Sequence, residues 1–159
     1  MKFAALSGLI RRQFQDVERE YNFVCELMNE MKERQDDRLL LVVAMSLHGF
    51  YTGIEKIFET IAKQIDGSLS SYSGWHKDLL LQMSAEISNT RPEVINNSTY
   101  ELLLEFLAFR HVVRNNYTHK LEPDKVRKLV ENLDDCYKSL KNDLIIFCQF
   151  LDEMDSQSS

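Results

Sequence analysis

The chain has 159 residues, enough for one domain around one core. Hydrophobic residues make up 44% and charged residues 28%, the balance of a globular protein, and five Gly with two Pro are too few turn formers for a many-stranded all-β fold. A formal net charge of -6 excludes a surface that is basic throughout but permits a local cationic cleft.

The first element reads as a helix over residues 6–34. Leu6, Leu9, Ile10, Phe14, Val17, Tyr21, Val24, Cys25, Met28 and Met31 recur every three or four positions with charges between them. Gln35-Asp36-Asp37 breaks the pattern and can cap the next element, while the charged run from Glu30 to Arg38 reads as a solvated helix end. A second helix is expected over residues 38–65. Its first part, Leu39 to Met45, is apolar all round and is expected to be central and buried on most sides. Its second part narrows to Phe50, Ile54, Ile57, Phe58, Ile61 and Ile65, with Glu55, Lys56, Glu59 and Lys63 facing out. Asp66-Gly67 ends it, Gly67 suiting a left-handed cap.

A polar loop over residues 68–74 leads to a shorter third helix over residues 75–87, with Leu79, Leu80, Met83 and Ile87 as its stripe, ended by Arg91-Pro92. Ser98-Thr-Tyr-Glu101 reads as a capping box opening a fourth helix that runs to about Arg114, where Asn115-Asn116 weakens it. Pro123 suits the first position of a last helix, whose stripe from Val126 through Ile145 to Phe150 reaches about Leu151. The expected architecture is all-α, an up-and-down bundle of four long helices and one shorter one. It forms a single domain over residues 1–151 with a disordered tail over 152–159.

The scattered chemistry-bearing residues read mostly as structure. Cys25, Cys136 and Cys148 form no Cys-x-x-Cys pair and sit at helical spacing as buried small hydrophobes. His48 reads as a core histidine bonded to a backbone carbonyl, His76 as a surface or partner-facing residue, and Glu55 with Glu59 as a surface pair. The His residues lack zinc-ligand spacing, Gly-rich phosphate loops are absent, and no metal or cofactor is called for. No apolar h-region opens the chain, and its longest apolar run is far too short to span a bilayer, so the expected location is the cytoplasm.

One stretch concentrates chemistry: Phe109-Arg-His-Val-Val-Arg-Asn-Asn-Tyr-Thr-His119. Arg110 and Arg114 stack on one helix face, which suits an anion lying over both or, as plainly, two solvated arginines paired with Glu101 or Glu105. Arg114 and His119 would lie roughly 140° apart on an ideal helix, so they meet only if the helix loosens at Asn115-Asn116 or if they act across a two-fold dimer. An always-charged guanidinium beside an imidazole is a minimal kit for handling a phosphodiester without a metal. His119 would move a proton to or from the reacting oxygens, and Arg114 would hold the phosphate and offset the growing charge. Asn115 or Tyr117 would orient the phosphate or the histidine, with Arg110 and His111 lining the cleft. RNA supplies its own 2′-hydroxyl nucleophile, so the products would be a 2′,3′-cyclic phosphate and a 5′-hydroxyl.

Set between the last two long helices of an all-α chain, Arg114-Asn115-x-x-x-His119 resembles the motif of the HEPN superfamily, and within it the HepT-like ribonuclease toxins. The blocks Phe50-Tyr-Thr-Gly-Ile-Glu-Lys-Ile-Phe58, Trp75-His-Lys-Asp-Leu-Leu80 and Phe109-Arg-His-Val-Val-Arg114 are similar to that group as well. The resemblance implies a homodimeric, metal-independent endoribonuclease toxin with catalytic Arg114 and His119. It also implies an antitoxin of the minimal nucleotidyltransferase family, which binds the toxin or adds AMP to a tyrosine near the motif. Leu121 stands where that tyrosine is often found, which leaves Tyr117 as the nearest target. The rival expectation is a non-catalytic helical module that binds a nucleotidyltransferase or a nucleotide and uses Arg110 and Arg114 only to hold an anion.

Overall fold

In the computed structural model, which describes residues 2–69, 74–115 and 121–157, five helices follow one another along the chain. Helix α1 (Phe3–Arg34) ends where Gln35 takes a left-handed φ of 51°, and the Asp36 carboxylate then accepts the Arg38 backbone N–H. Helix α2 (Leu39–Ile61) runs on into one π-helical turn (Ala62–Asp66), which Gly67 terminates with a left-handed φ of 73°. Helices α3 (Trp75–Met83), α4 (Asn97–Asn115) and α5 (Pro123–Gln157) complete the all-α bundle. Among the described residues the one β-type feature is an isolated bridge between Ile87 and Arg91.

Helix α2 is the centre of the bundle and touches α1, α3, α4 and α5. Val43, Ala44, Leu47, Phe50, Ile54, Ile57 and Phe58 pack there with Leu6, Ile10, Val17 and Val24 of α1 and Leu103 and Phe106 of α4. The α1–α2 approach is close: a Cβ added at Gly53 would stand 3.0 Å from Val17 Cγ2. The start of α2 departs from expectation, because Leu41, Val42 and Met45 are exposed while Leu40, Val43 and Ala44 are buried. Too few helices surround its first two turns to cover an all-apolar cylinder. Ile145 of α5, assigned to the buried stripe by its spacing, is likewise exposed beside Ile146.

Three element ends differ from the sequence reading, each for a local polar reason. Helix α3 stops at Met83, not Ile87, because buried Arg91 reaches back to the carbonyls of Gln82 and Ala85 and pairs with Asp66. Helix α4 is capped by Asn96 rather than Ser98: Asn96 Oδ1 accepts the Thr99 backbone N–H at 2.9 Å, and the Thr99 hydroxyl turns inward to Asp143. Helix α5 continues through Gln157, where a tail from residue 152 was expected. Asp155 accepts the free backbone N–H groups of Phe3 and Ala4 at the start of α1, and Asp152 pairs with Arg11 at 2.8 Å, so the end of α5 is tied to that helix.

The seam between α1 and α5 carries stacked Tyr21 and Tyr137, with ring centroids 4.0 Å apart, their hydroxyls donating to Asp134 and Glu18. Cys136 and Cys148 are buried and Cys25 half-buried, all as free thiols. Burial pushes the Cys136 thiol up to about 12, with Glu105 adding to it, so it stays neutral as a packing residue. No helix among the described residues is long and apolar enough to cross a membrane.

Candidate functional site

Helix α4 presents Arg110, His111 and Arg114 to a cleft of 1310 Å³. The opposite wall is the Thr52, Glu55, Lys56 and Glu59 side of α2, and one end is closed by Gly74 to Lys77 at the start of α3. Four fixed cations, Lys56, Lys77, Arg110 and Arg114, face two carboxylates, Glu55 and Glu59. The cleft is therefore cationic in a chain of net charge -6.

A polar relay crosses its floor. Glu55 is only 5% exposed, yet it is not stranded. Its Oε2 accepts a hydrogen bond from His76 Nδ1 at 2.7 Å, and its Oε1 lies 3.7 Å from Arg110 Nε. A buried carboxylate needs such partners, since an unpaired charge taken out of water costs several kcal/mol. Trp75 stacks on the His76 ring, centroids 3.8 Å apart, and holds its plane. Both residues start α3, where Gly74 turns the chain with a left-handed φ of 87°.

The two arginines differ in freedom. Arg110 is largely buried, 11% exposed in its side chain, and its Nε has no hydrogen bond among the described residues. Arg114 is exposed, and no described carboxylate pairs with it. Among the described residues the alternative pairing of these arginines with Glu101 or Glu105 is not found; Glu105 instead accepts from Asn132. Both guanidinium groups are felt by His48 on α2. Burial first, and then the charges of Arg110 and Arg114, hold its imidazole below the usual histidine range. His48 Nε2 is buried without a partner among the described residues, so the carbonyl bond expected there is not made at that nitrogen.

Of the residues singled out in the sequence, Arg110, His111 and Arg114 thus share one cleft. Asn115 is the last residue of α4. Its side chain, together with Tyr117 and His119, lies outside the described residues. Glu55 and His76 were assigned to the surface and belong to the cleft instead. One signal for Glu55 was present: it stands four residues after Tyr51 and three before Phe58, both 1% exposed, and so on the buried stripe of α2. Among the described residues, no group of three His, Cys, Asp or Glu side chains is arranged to hold a metal ion.

A family model described as HepT-like protein matches residues 42–151, which include α3, α4, most of α2 and most of α5. No curated protein and no solved structure matches the chain. The match takes in every residue that lines the cleft, and it covers more than half of the sequence. The chain belongs to the HepT-like proteins of the HEPN superfamily.

Proposed function

We propose that this HepT-like chain is a metal-independent endoribonuclease toxin of a toxin–antitoxin system, working as a homodimer in the cytoplasm. One observation supports the reading above the rest: exposed Arg114, with no ion pair to a carboxylate among the described residues, stands in a cationic cleft beside Arg110 and His111. A guanidinium so placed can grip a phosphodiester through two N–H groups and stabilise the charge that builds on its oxygens.

In this reading the ribose 2′-oxygen attacks phosphorus, its proton passes to a base, and the bond from phosphorus to the 5′-oxygen breaks. An acid protonates that leaving oxygen. The products are a 2′,3′-cyclic phosphate and a 5′-hydroxyl, and no water is consumed in this step. Arg114 is the charge-stabilising residue and His119 a proton-transfer group, with Asn115, Tyr117, Arg110 and His111 in support. Exposed Leu41, Val42 and Met45 offer an apolar surface for the second copy to cover. A minimal nucleotidyltransferase acts as antitoxin, by binding or by AMP transfer to Tyr117.

Expression of the chain alone should arrest growth and degrade RNA, and Arg114→Ala or His119→Ala should remove both effects with helicity unchanged. Full activity in both variants contradicts the assignment. The second reading, a non-catalytic module for a nucleotidyltransferase or nucleotide, draws on the commitment of Arg110 to Glu55, which leaves Arg114 as the freer anion holder. It predicts phosphate-dependent binding with no RNA cleavage by the wild-type chain.

A further inference from the structure

The relay on the cleft floor fixes more than charge. An ionised carboxylate only accepts hydrogen bonds, so Nδ1–H of His76 is the donor to Glu55 Oε2, and in the neutral form of the ring Nδ1 is the nitrogen that carries the proton. The lone pair then sits on Nε2, at the far side of the ring. Glu55 is held by Arg110 on its other oxygen and is 6% exposed in its side chain, so solvent does not compete for it. The His76 side chain is 23% exposed and lines the same cleft as Arg114. This is the arrangement of a base oriented by a buried carboxylate: the acid sets the tautomer, and the open nitrogen meets the substrate.

We propose that His76 is the general base of this cleft, taking the 2′-hydroxyl proton on Nε2, and that Glu55 and Arg110 are its positioning residues. The inference rests on the nuclease reading above and assigns the step that reading leaves to an unnamed base. As the bond from the 2′-oxygen to phosphorus forms, the proton moves to Nε2 and His76 becomes an imidazolium paired to Glu55. As the bond to the 5′-oxygen breaks, the leaving oxygen takes a proton from a second group, the role open to His119. Proton exchange with water resets both groups. Trp75, against the His76 ring, keeps it from rotating out of line.

A base of this kind shows in the pH profile. His76 faces Glu55, Lys56 and Glu59 of α2 and Arg110, His111 and Arg114 of α4, with Lys77 beside it on α3. Of these, only His111 is of a type that ordinarily titrates between pH 5 and 8. The test is kcat and KM from pH 5 to 9 in EDTA, on a short RNA with one cleavable linkage, for wild type, His76→Asn, Glu55→Gln and His111→Asn. An Asn amide can replace Nδ1–H as donor to Glu55 but has no basic Nε2.

His76→Asn should lose roughly 10²–10⁴-fold in kcat at unchanged KM, together with the ascending acid limb of the profile. Glu55→Gln should lose less, and His111→Asn should keep the limb. Added imidazole should restore activity to His76→Ala, which a merely structural histidine does not allow. If His76→Asn retains the limb, or imidazole fails to rescue His76→Ala, the role of His76 is overturned while the nuclease reading stands. A wild-type chain that cuts no RNA overturns both.

Discussion

Arg110 Nε lies 3.7 Å from Glu55 Oε1, an ion pair too long for a hydrogen bond, with 11% and 6% of the two side chains exposed. The pair joins α4 to α2, and through His76 it also joins α3. Removing the carboxylate would leave a largely buried cation without its partner. Glu55→Ala should therefore lower the free energy of unfolding by about 3–5 kcal/mol, whereas Glu59→Ala, at a half-buried carboxylate with no such pair among the described residues, should change it by less than about 1 kcal/mol. Chemical denaturation of both variants checks this, and equal losses would contradict it.

Most of the bundle can be read from periodicity; the cleft floor cannot. Spacing alone identifies α1, α2, α4 and α5 because each buries a stripe on a neighbour, and Gly67 marks the end of the α2 segment. Glu55 is misplaced when its four-residue step to Glu59 is read as a solvated pair and its register with buried Tyr51 and Phe58 is passed over; α3 and α4 both close over that face. His76 is separated from Glu55 by 21 positions, so no local pattern announces their contact. Arg110, His111 and Arg114 were legible because one helical run carries all three. The end of α3 was misjudged because the Arg91 side chain, not Pro92, organises the turn after Met83.

The fold should lose stability in mild acid through His48. In the unfolded chain this imidazole takes its proton near an ordinary value of about 6.5, and in the fold it takes it at lower pH. Between those values the unfolded state holds more protons, so stability falls as pH falls. The His48 contribution is full above the unfolded value and is lost progressively toward the folded one. The midpoint of thermal unfolding should drop from pH 7.5 to pH 5 by more in wild type than in His48→Gln. Identical drops would show that His48 does not titrate in this way.

The buried pair of Arg91 and Asp66 should be the strongest single polar anchor outside the cleft. Arg91 donates Nε and one terminal nitrogen to the two Asp66 oxygens at 2.7 and 2.8 Å, and both side chains are almost fully enclosed. Arg91→Met alone leaves the buried Asp66 carboxylate with the Gln82 amide but without its cation, and frees the carbonyls of Gln82, Ala85 and Pro92. It should cost about 3–5 kcal/mol, and adding Asp66→Asn should recover part of that loss. Additive losses in the double variant would contradict a coupled pair.

The central claim concerns Arg114 in the cationic cleft, and end-group analysis of cleaved RNA tests it most directly. Purified wild-type chain in EDTA should convert a defined RNA to fragments bearing 2′,3′-cyclic phosphate and 5′-hydroxyl ends. Arg114→Ala, equally helical, should be slower by at least roughly 10²-fold. An intact RNA after incubation with the wild-type chain, or equal rates for the two proteins, would contradict it.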